Sequence, residues 1–316
     1  MTVLITGAAG FIASHLTELL LHDGHEIVGL DNFDDFYDPA VKEANLRTAR
    51  DHQGFRLVRG DIRDPDVLTA LPEEVDTVIH IAARAGVRPS LADPLLYFDV
   101  NVTGTLRLLE LARERGIRNF LFASSSSVYG ESPTVPFSEA DRVDNPISPY
   151  AATKRAGELL CHTYNHLHGT TCLCLRFFTV YGPRQRPDLA IHKFARLLDR
   201  GEEIPLFGTG DSERDYTYVE DIVKGVREAL RWTEENPEAY EIVNLGGSSP
   251  VGLRDMIGIL GREMGVEPMI RQHPMQPGDV SRTYADIDKA RRFLNYDPKW
   301  GFEDGIRQFV DWYRAQ

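Results

Sequence analysis

The sequence predicts an α/β protein with a doubly wound parallel sheet, followed by a smaller mixed α/β lobe toward the C-terminus. Short apolar runs alternate with helical patterns over the first half of the chain, and a glycine-rich turn follows the first run. Apolar strands separated by helices are typical of βαβ units in a parallel sheet. After about residue 178 the alternation gives way to shorter elements and to clusters such as "GTGDSERD" and "NLGGSSP".

The predicted strands are rich in β-branched and apolar residues, as strands buried on both faces are. They are Val3–Thr6, Glu26–Asp31, Phe55–Arg59, Val75–Ile81, Phe120–Ser124 and Thr171–Phe177. The helical patterns include Phe11–Leu21, Leu95–Arg115 and Pro149–Leu167, with a later one near Val219–Trp232. We therefore expect a first domain over residues 1–178 and a smaller lobe over residues 179–316, with residues 215–235 packing back on the sheet.

Charge and cysteine content exclude several classes of partner. A chain of 316 residues with a net charge of −13 should repel nucleic acid and anionic membranes. Membrane spans need about 18 consecutive apolar residues, and none is expected here. The odd set Cys161, Cys172 and Cys174, without CxxC spacing, favours buried thiols in a cytoplasmic protein. His162 and His166 share a helix face but lack a third ligand, so no metal is expected.

The turn after the first strand has the composition of a phosphate-binding loop. In "VLITGAAGFIASHL", Gly7 and Gly10 permit a tight turn, and Phe11 and Ile12 begin a helix. The N–H groups and positive dipole end of that helix would face a pyrophosphate. Ala13 stands where a third glycine often occurs and still permits close packing. Since ordinary strand–turn–helix units also contain such glycines, the Rossmann-type prediction also depends on the residues that end the second strand.

Acidic residues after the second strand indicate which dinucleotide binds. Asp31 can accept hydrogen bonds from the adenosine ribose, whereas a 2′-phosphate would face Asp31, Asp34 and Asp35 with no basic residue nearby in the sequence. This predicts NAD rather than NADP. Further residues expected around the adenosine are Asn32, Asp61 and Ile62. An alternative role for Asp61 is to cap the helix that begins in "DPDVL".

A tyrosine and a lysine four residues apart point to proton transfer. Tyr150 and Lys154 lie one above the other on a helix. In most proteins a pair with this spacing is exposed on the surface and has no catalytic role. The ordinary pKa of tyrosine, about 10, is too high for a base at neutral pH. A neighbouring ammonium group and a cationic nicotinamide would both lower it. Residues 124–127, here called the serine row, could be a flexible linker, but their apolar flanks predict a strand end that supplies the third partner, a hydroxyl.

These motifs together resemble the extended short-chain dehydrogenases/reductases, specifically the NAD-dependent nucleotide-sugar epimerases and dehydratases. The resemblance extends over essentially the whole chain and includes "TGAAGFIASHL", "GDIRD", "VIHIAARAGVRPS", "FASSSSVYG", "SPYAATKRAGE", "LRFFTVYGPRQRP" and "RDYTYVEDI". It implies that Ser125 is the catalytic hydroxyl that shares a substrate proton with Tyr150. It also implies that Ala82, Ala83 and Asn101 lie near the nicotinamide, that the C-terminal lobe binds a UDP- or dTDP-sugar, and that the chain forms a homodimer.

The residue before "VYG" distinguishes between the reactions of this family. Relatives that dehydrate or decarboxylate commonly have an acidic residue there, whereas this chain has Ser127. The resemblance therefore favours C4 epimerisation through a transient 4-keto sugar. Several segments are most similar to UDP-glucuronate 4-epimerases. That similarity implies that Ser126, Ser127, Thr179 and Arg88 hold the uronate carboxylate.

Two arginines are predicted to bind the substrate diphosphate, and several alternative substrates and functions remain open. Arg186 and Arg214 match positions that hold the UDP diphosphate in the family. The main alternative substrate pair is UDP-glucose and UDP-galactose, and less favoured alternatives are a UDP-uronate decarboxylase and a non-catalytic NAD sensor. Ser126 and Ser127 could also simply cap the loop. The pair Arg184–Gln185 departs from "WGRP" in similar sequences, and its effect is not predicted from the sequence.

Overall fold

A computed structural model describes residues 1–274 and 280–316. The glycine- and proline-containing cluster "PMQPGDV" therefore lies largely outside the described residues. The strands are β1 (Thr2–Thr6), β2 (Glu26–Asp31), β3 (Phe55–Arg59), β4 (Thr77–His80), β5 (Asn119–Ser125), β6 (Thr171–Phe177), β7 (Thr179–Tyr181), β8 (Ile204–Phe207), β9 (Glu213–Tyr218), β10 (Tyr240–Leu245), β11 (Pro250–Gly252) and β12 (Ile270–His273).

Helices connect most of these strands, and no helix of the described residues is long and apolar enough to cross a membrane. They are α1 (Phe11–His22), α2 (Pro39–Asn45), α3 (Arg47–Arg50), α4 (Pro65–Thr69), α5 (Val87–Ala92), α6 (Pro94–Phe98), α7 (Gly104–Arg115), α8 (Pro149–His168), α9 (Ala190–Asp199), α10 (Val219–Glu235), α11 (Leu253–Met264), α12 (Asp288–Leu294) and α13 (Phe302–Arg314).

The main sheet is parallel, with the strand order β3-β2-β1-β4-β5-β6-β10. Its two faces are covered by different helices, because successive side chains of a strand point to opposite faces. Val3 and Ile5 of β1 pack in one apolar cluster with Leu16 of α1. Leu4, between them, packs in a second cluster with Leu108 of α7. The doubly wound α/β prediction is confirmed.

One strand of this sheet comes from the part of the chain that the sequence analysis gave to the smaller lobe. β10 pairs in parallel with β6, although it lies well beyond residue 178. Its run "YEIVNL" is short and has no nearby βαβ pattern that would identify its neighbour. The smaller lobe contains a sheet of order β11-β9-β7, the pair β12-β8, and a separate apolar cluster that includes residues of α9, α11 and α13. The domain boundary at residue 178 remains a prediction.

The helix predicted over Leu95–Arg115 is interrupted by a wider turn. α6 and α7 are joined by a π-helical segment, Asp99–Thr103. Such segments insert one extra residue per turn and are frequent at functional sites. The sequence pattern shows no sign of it, because apolar periodicity changes little over one turn. Asn101, in the middle of this segment, is thereby turned into the protein interior.

Helix α8 lies unusually close to strand β5. Ser148 caps its N-terminus by accepting a hydrogen bond from Ala151 N at 3.1 Å, and Pro149 occupies the first turn, where its missing N–H has no cost. A Cβ atom added at Gly157 would lie 2.7 Å from Cε1 of the buried Phe122 ring on β5. This glycine therefore sets the distance between the helix and the strand.

Replacing Gly157 tests that close approach. Gly157→Ala should lower the free energy of unfolding by about 1–3 kcal/mol, since overpacking forces the Phe122 ring or the helix to move. Gly258→Ala is the matched control, because a Cβ at this helical glycine of α11 meets nothing within 4 Å. It should stabilise the protein by up to about 1 kcal/mol through helix propensity. Urea unfolding midpoints measure both changes, and a shift of the same sign in both variants would contradict the packing argument.

Candidate active site

A cleft of about 500 Å³ opens at the carboxyl ends of the parallel strands. Gly7 after β1, Asp31 at the end of β2, Ala82 after β4 and Ser125 at the end of β5 all line it. Carboxyl ends of strands in open α/β sheets are where ligands bind, because loops and helix N-termini converge there. The cleft therefore brings together most of the residues that the sequence analysis selected.

The glycine turn has the shape that a phosphate-binding loop requires. Gly7 has a φ of +71°, and a Cβ there would lie 2.9 Å from backbone atoms of Ala82. Gly10 is the N-cap of α1, and Phe11 and Ile12 line the cleft beyond it. Only a glycine fits this backbone, and the first N–H groups of α1 face the space next to it.

Asp31 is more tightly held than the sequence suggested. Its carboxylate accepts hydrogen bonds from Ala9 N at 3.0 Å and from Phe33 N at 2.8 Å. The expectation that no basic residue lies nearby is wrong, because α2 brings the buried Lys42 Nζ to 3.8 Å from Asp31 Oδ1. Lys42 also lines the cleft. No local pattern identified it, since the loop between β2 and α2 determines which face of α2 turns inward.

The other adenosine residues form one polar group at the cleft edge. Asn32 Nδ2 donates to Asp61 Oδ2 at 2.9 Å, and Arg63 pairs with the same carboxylate at 2.7 Å. The Arg63 hydrogen bonds lower the pKa of Asp61 to about 2, against the effect of burial. Asp64, not Asp61, caps α4, so the alternative role for Asp61 is wrong. Asn32, Asp61 and Ile62 all line the cleft.

Asn101 differs from its predicted companions. Ala82 and Ala83 line the cleft, whereas Asn101 does not. Its side-chain Oδ1 accepts from Arg84 N at 2.8 Å, and its Nδ2 donates to Arg84 O and to Thr153 Oγ1, each at 3.0 Å. Asn101 therefore ties the loop after β4 to helix α8 rather than facing a ligand.

The serine row is a strand end followed by a 3₁₀ turn, so the linker interpretation is wrong. Ser125 ends β5, and its Oγ accepts a hydrogen bond from Ser127 N at 3.1 Å, which caps the turn Ser126–Tyr129. Ser125, Ser126 and Ser127 line the cleft. The buried Ser127 Oγ has no hydrogen-bond partner among the described residues, so it is available to a ligand.

Tyr150 and Lys154 lie beside this row. Tyr150 and Ser125 line the cleft together, and Lys154 Nζ donates to Ala123 O at 2.6 Å. Burial raises the pKa of Tyr150 above its ordinary value, although the Ser125 hydroxyl and the charge of Arg186 act in the opposite direction. Burial also lowers the pKa of Lys154 to about 8. The protein's own groups therefore do not produce the lowered tyrosine pKa that the sequence predicted.

The predicted substrate residues divide into two groups. Thr179, Arg186 and Arg214 line the cleft together with the serine row. Arg88 is not among the described lining residues, and its guanidinium carbon lies 5.1 Å from the ring centroid of Phe207 on β8. The structure therefore does not bring Arg88 into the wall that the other residues form.

The unusual pair before Arg186 anchors the loop that carries it. Arg184 Nη2 pairs with Glu18 of α1 at 2.8 Å. Gln185 is buried, donates to Val180 O at 3.2 Å and accepts from His192 N of α9 at 3.1 Å. This loop is consequently fastened both to the phosphate-binding helix and to the smaller lobe.

Comparisons with known proteins agree with this arrangement. Residues 3–246 match the family described as the NAD dependent epimerase/dehydratase family. A UDP-glucuronate 4-epimerase of Thermodesulfobacterium geofontis is 42% identical over 313 residues, 98% of this chain and 95% of that protein. The crystal structure of UDP-glucuronic acid 4-epimerase from Bacillus cereus, in complex with UDP-glucuronic acid and NAD, is 36% identical with a TM-score of 0.94, covering 100% of this chain and 99% of that one. A Thermus thermophilus UDP-glucose 4-epimerase complex with NAD is 33% identical with a TM-score of 0.89, again covering 100% and 99%.

This is a dinucleotide-binding enzyme of the short-chain dehydrogenase/reductase type. Its defining features are the parallel sheet, the glycine turn before α1, and Ser125, Tyr150 and Lys154 together in one cleft. The chain belongs to the NAD-dependent epimerase/dehydratase family, which confirms the resemblance. NAD is its cofactor, and the residues present fit it: Gly7 leaves no room for a side chain between the turn and Ala82, and the buried Asp31 carboxylate lies at the end of β2. Among the described residues, no group of three His, Cys, Asp or Glu side chains could hold a metal.

Asp31 should determine the choice between NAD and NADP. In Asp31→Ala, NAD binding should weaken by about 1.5–3 kcal/mol for each lost charge-assisted hydrogen bond. NADP binding should improve, because Lys42 would then face the 2′-phosphate without a fixed anion beside it. Asp35→Ala is the control, since the structure places this residue at an exposed position of the same loop, outside the described lining of the cleft. Calorimetric titration of both dinucleotides checks this, and equal changes in the two variants would place the deciding carboxylate elsewhere.

Proposed function

We propose that the chain is an NAD-dependent 4-epimerase that interconverts UDP-glucuronate and UDP-galacturonate through a transient 4-keto sugar. The observation that carries this proposal is the juxtaposition of Ser125, Tyr150 and Lys154 with further hydroxyl groups from Ser126, Ser127 and Thr179 in one cleft. The similar proteins named UDP-glucuronate 4-epimerase, one of them solved with UDP-glucuronic acid and NAD, support the same substrate.

The proton steps belong to the residues beside the serine row. Tyr150 accepts the proton of the sugar 4-hydroxyl, and Ser125, which lines the cleft with Tyr150, holds that hydroxyl in position. Lys154, fixed to Ala123 O, places a positive charge near the tyrosine ring, at 6.0 Å from its centroid. When bound, NAD accepts and returns the hydride of carbon C4 and brings a cationic ring that favours the tyrosine phenolate.

The hydroxyl groups explain why the reaction stops at epimerisation. After C4 is oxidised, the ketone of UDP-glucuronate lies β to the C6 carboxylate, and such acids lose CO₂ when the C5–C6 bond aligns with the carbonyl π-system. Ser126, Ser127 and Thr179 bind the carboxylate in another orientation and supply no acidic group. Arg186 and Arg214 bind the diphosphate.

Incubation with a set of UDP-sugars tests the proposed function. Purified protein is mixed separately with UDP-glucuronate, UDP-glucose and UDP-N-acetylglucosamine, and the products are resolved by NMR. We expect UDP-galacturonate to form fastest. Faster conversion of UDP-glucose to UDP-galactose would favour the neutral-sugar epimerase, and tightly bound NAD without any turnover would favour a sensor.

We also propose that the enzyme is a cytoplasmic homodimer. Large apolar side chains are exposed along α5 to α8, as expected of helices that pack against a second copy. They are Leu91, Leu95, Phe98, Leu106, Leu159 and Leu167. The three cysteines are free and buried, which supports a reducing compartment.

Tyr150→Phe should abolish epimerisation while leaving the fold and NAD binding intact. The phenolic oxygen is the base, but the ring packs edge-on against Tyr97 and should be retained. Loss of a general base lowers rates by about 10²–10⁴-fold. Tyr313→Phe, which removes a hydroxyl from the exposed end of α13, should keep full activity. Turnover of Tyr150→Phe within a few-fold of the parent at neutral pH would show that another group is the base.

Removing the hydroxyl groups that bind the carboxylate should impair turnover of UDP-glucuronate more than turnover of UDP-glucose. Ser126→Ala combined with Thr179→Val should weaken UDP-glucuronate binding by about 1.5–3 kcal/mol for each lost hydrogen bond to the carboxylate. Some 4-keto pentose should also form, with matching accumulation of enzyme-bound NADH, because CO₂ leaves before the hydride returns. UDP-glucose turnover should change much less. Equal losses of turnover on both substrates, without decarboxylated product, would contradict the proposed binding of the carboxylate by these hydroxyls.

A further inference from the structure

A fully buried ion pair lies directly beneath the serine row. Glu158, one turn beyond Lys154 on α8, has a side chain with no exposed surface, and that of Arg176 on β6 is 1% exposed. The carboxylate accepts from Arg176 Nε at 2.8 Å and Nη2 at 2.9 Å, and from Ser124 Oγ at 2.6 Å. The partly exposed Arg155, on the same helix, also donates to it at 3.0 Å. Neither Glu158 nor Arg176 is among the described residues that line the cleft, so neither touches a ligand there.

This ion pair contacts the first residue of the serine row and the last residue of the 3₁₀ turn that follows it. At the first end, Ser124 donates to the carboxylate, while the preceding Ala123 O accepts from Lys154 Nζ at 2.6 Å. Beyond the row, the Arg176 guanidinium carbon lies 4.8 Å from the ring centroid of Tyr129, the last residue of the 3₁₀ turn. Ser125, Ser126 and Ser127 lie between these two anchored points.

Burying two charges is a poor way to stabilise a fold, because the cost of desolvation can exceed the attraction between them. What such a pair supplies instead is directional, charge-assisted hydrogen bonds that permit one arrangement of their partners. Here the partner is a hydroxyl of the row itself. We propose that Glu158 and Arg176, acting through Ser124, are positioning residues that hold Ser125 against Tyr150, a role that rests on the proposed epimerase function.

Ser124→Ala is the direct test, because it removes one hydrogen bond and leaves the ion pair in place. If the row must be held to a fraction of an ångström, kcat should fall about 10-fold while KM changes by less than about 3-fold. In a Ser125→Ala background the same change should cost no further activity, because the positioned hydroxyl is already absent. A general loss of stability would lower activity equally in both backgrounds.

Thr233→Val is the matched control. It removes another buried hydroxyl, which donates to Leu230 O at 2.7 Å on α10, outside the described lining of the cleft. It should leave kcat unchanged. Unchanged kcat in Ser124→Ala as well, or equal losses with and without the Ser125 hydroxyl, would overturn the proposal.

Amide hydrogen exchange tests the positioning without any substrate. The Ser127 N–H, bonded to Ser125 Oγ, should exchange about 10-fold faster in Ser124→Ala, while amides of β1 keep their protection. The same local change is expected in Glu158→Gln, since an NH₂ group replaces one of the two carboxylate oxygens that accept from Ser124, Arg155 and Arg176. Faster exchange confined to the serine row in Ser124→Ala, together with no turnover of any UDP-sugar by the parent protein, would reject the proposed function but retain the positioning role. Unchanged exchange of the serine-row amides in this variant would reject the positioning role itself.

Discussion

The contact between helix α8 and strand β5 is the constraint on which the rest of the site depends. Gly157 allows the helix to approach the Phe122 ring, and Lys154 then reaches Ala123 O. Because Tyr150 lies one turn earlier on the same helix, its hydroxyl comes to the end of the strand, where Ser125 is. A larger separation would break these contacts together, since one helix carries all of them.

Burial acts on the two members of the Tyr–Lys pair in opposite directions. It raises the pKa of Tyr150 and lowers that of Lys154 to about 8, because both charged forms lose water. Burial therefore opposes formation of the Tyr150 phenolate, whereas the cationic nicotinamide ring of bound NAD would favour it.

The four adjacent serines do not share one environment. Ser124 is turned down to the buried Glu158, and Ser125 caps the turn and meets Tyr150. Ser126 and Ser127 face the cleft, and the Ser127 hydroxyl has no partner among the described residues. A strand alternates its side chains between two faces, and the 3₁₀ turn then changes that alternation. For this reason Ser124 can bond to the buried Glu158 while the serines after it line the cleft.

Local patterns were sufficient for the features that depend on residues close together in the chain. The apolar strands, the glycine turn before α1 and the Tyr150–Lys154 spacing each reflect a periodicity of two or of 3.6 residues, or a single turn. The remaining features depend on which distant segments come into contact. Lys42 beside Asp31, β10 at the edge of the sheet, Arg88 against Phe207 and Arg176 beneath the serine row leave no local signal. Only packing of the whole chain decides them, because the partners are brought together by loops whose path no short pattern specifies.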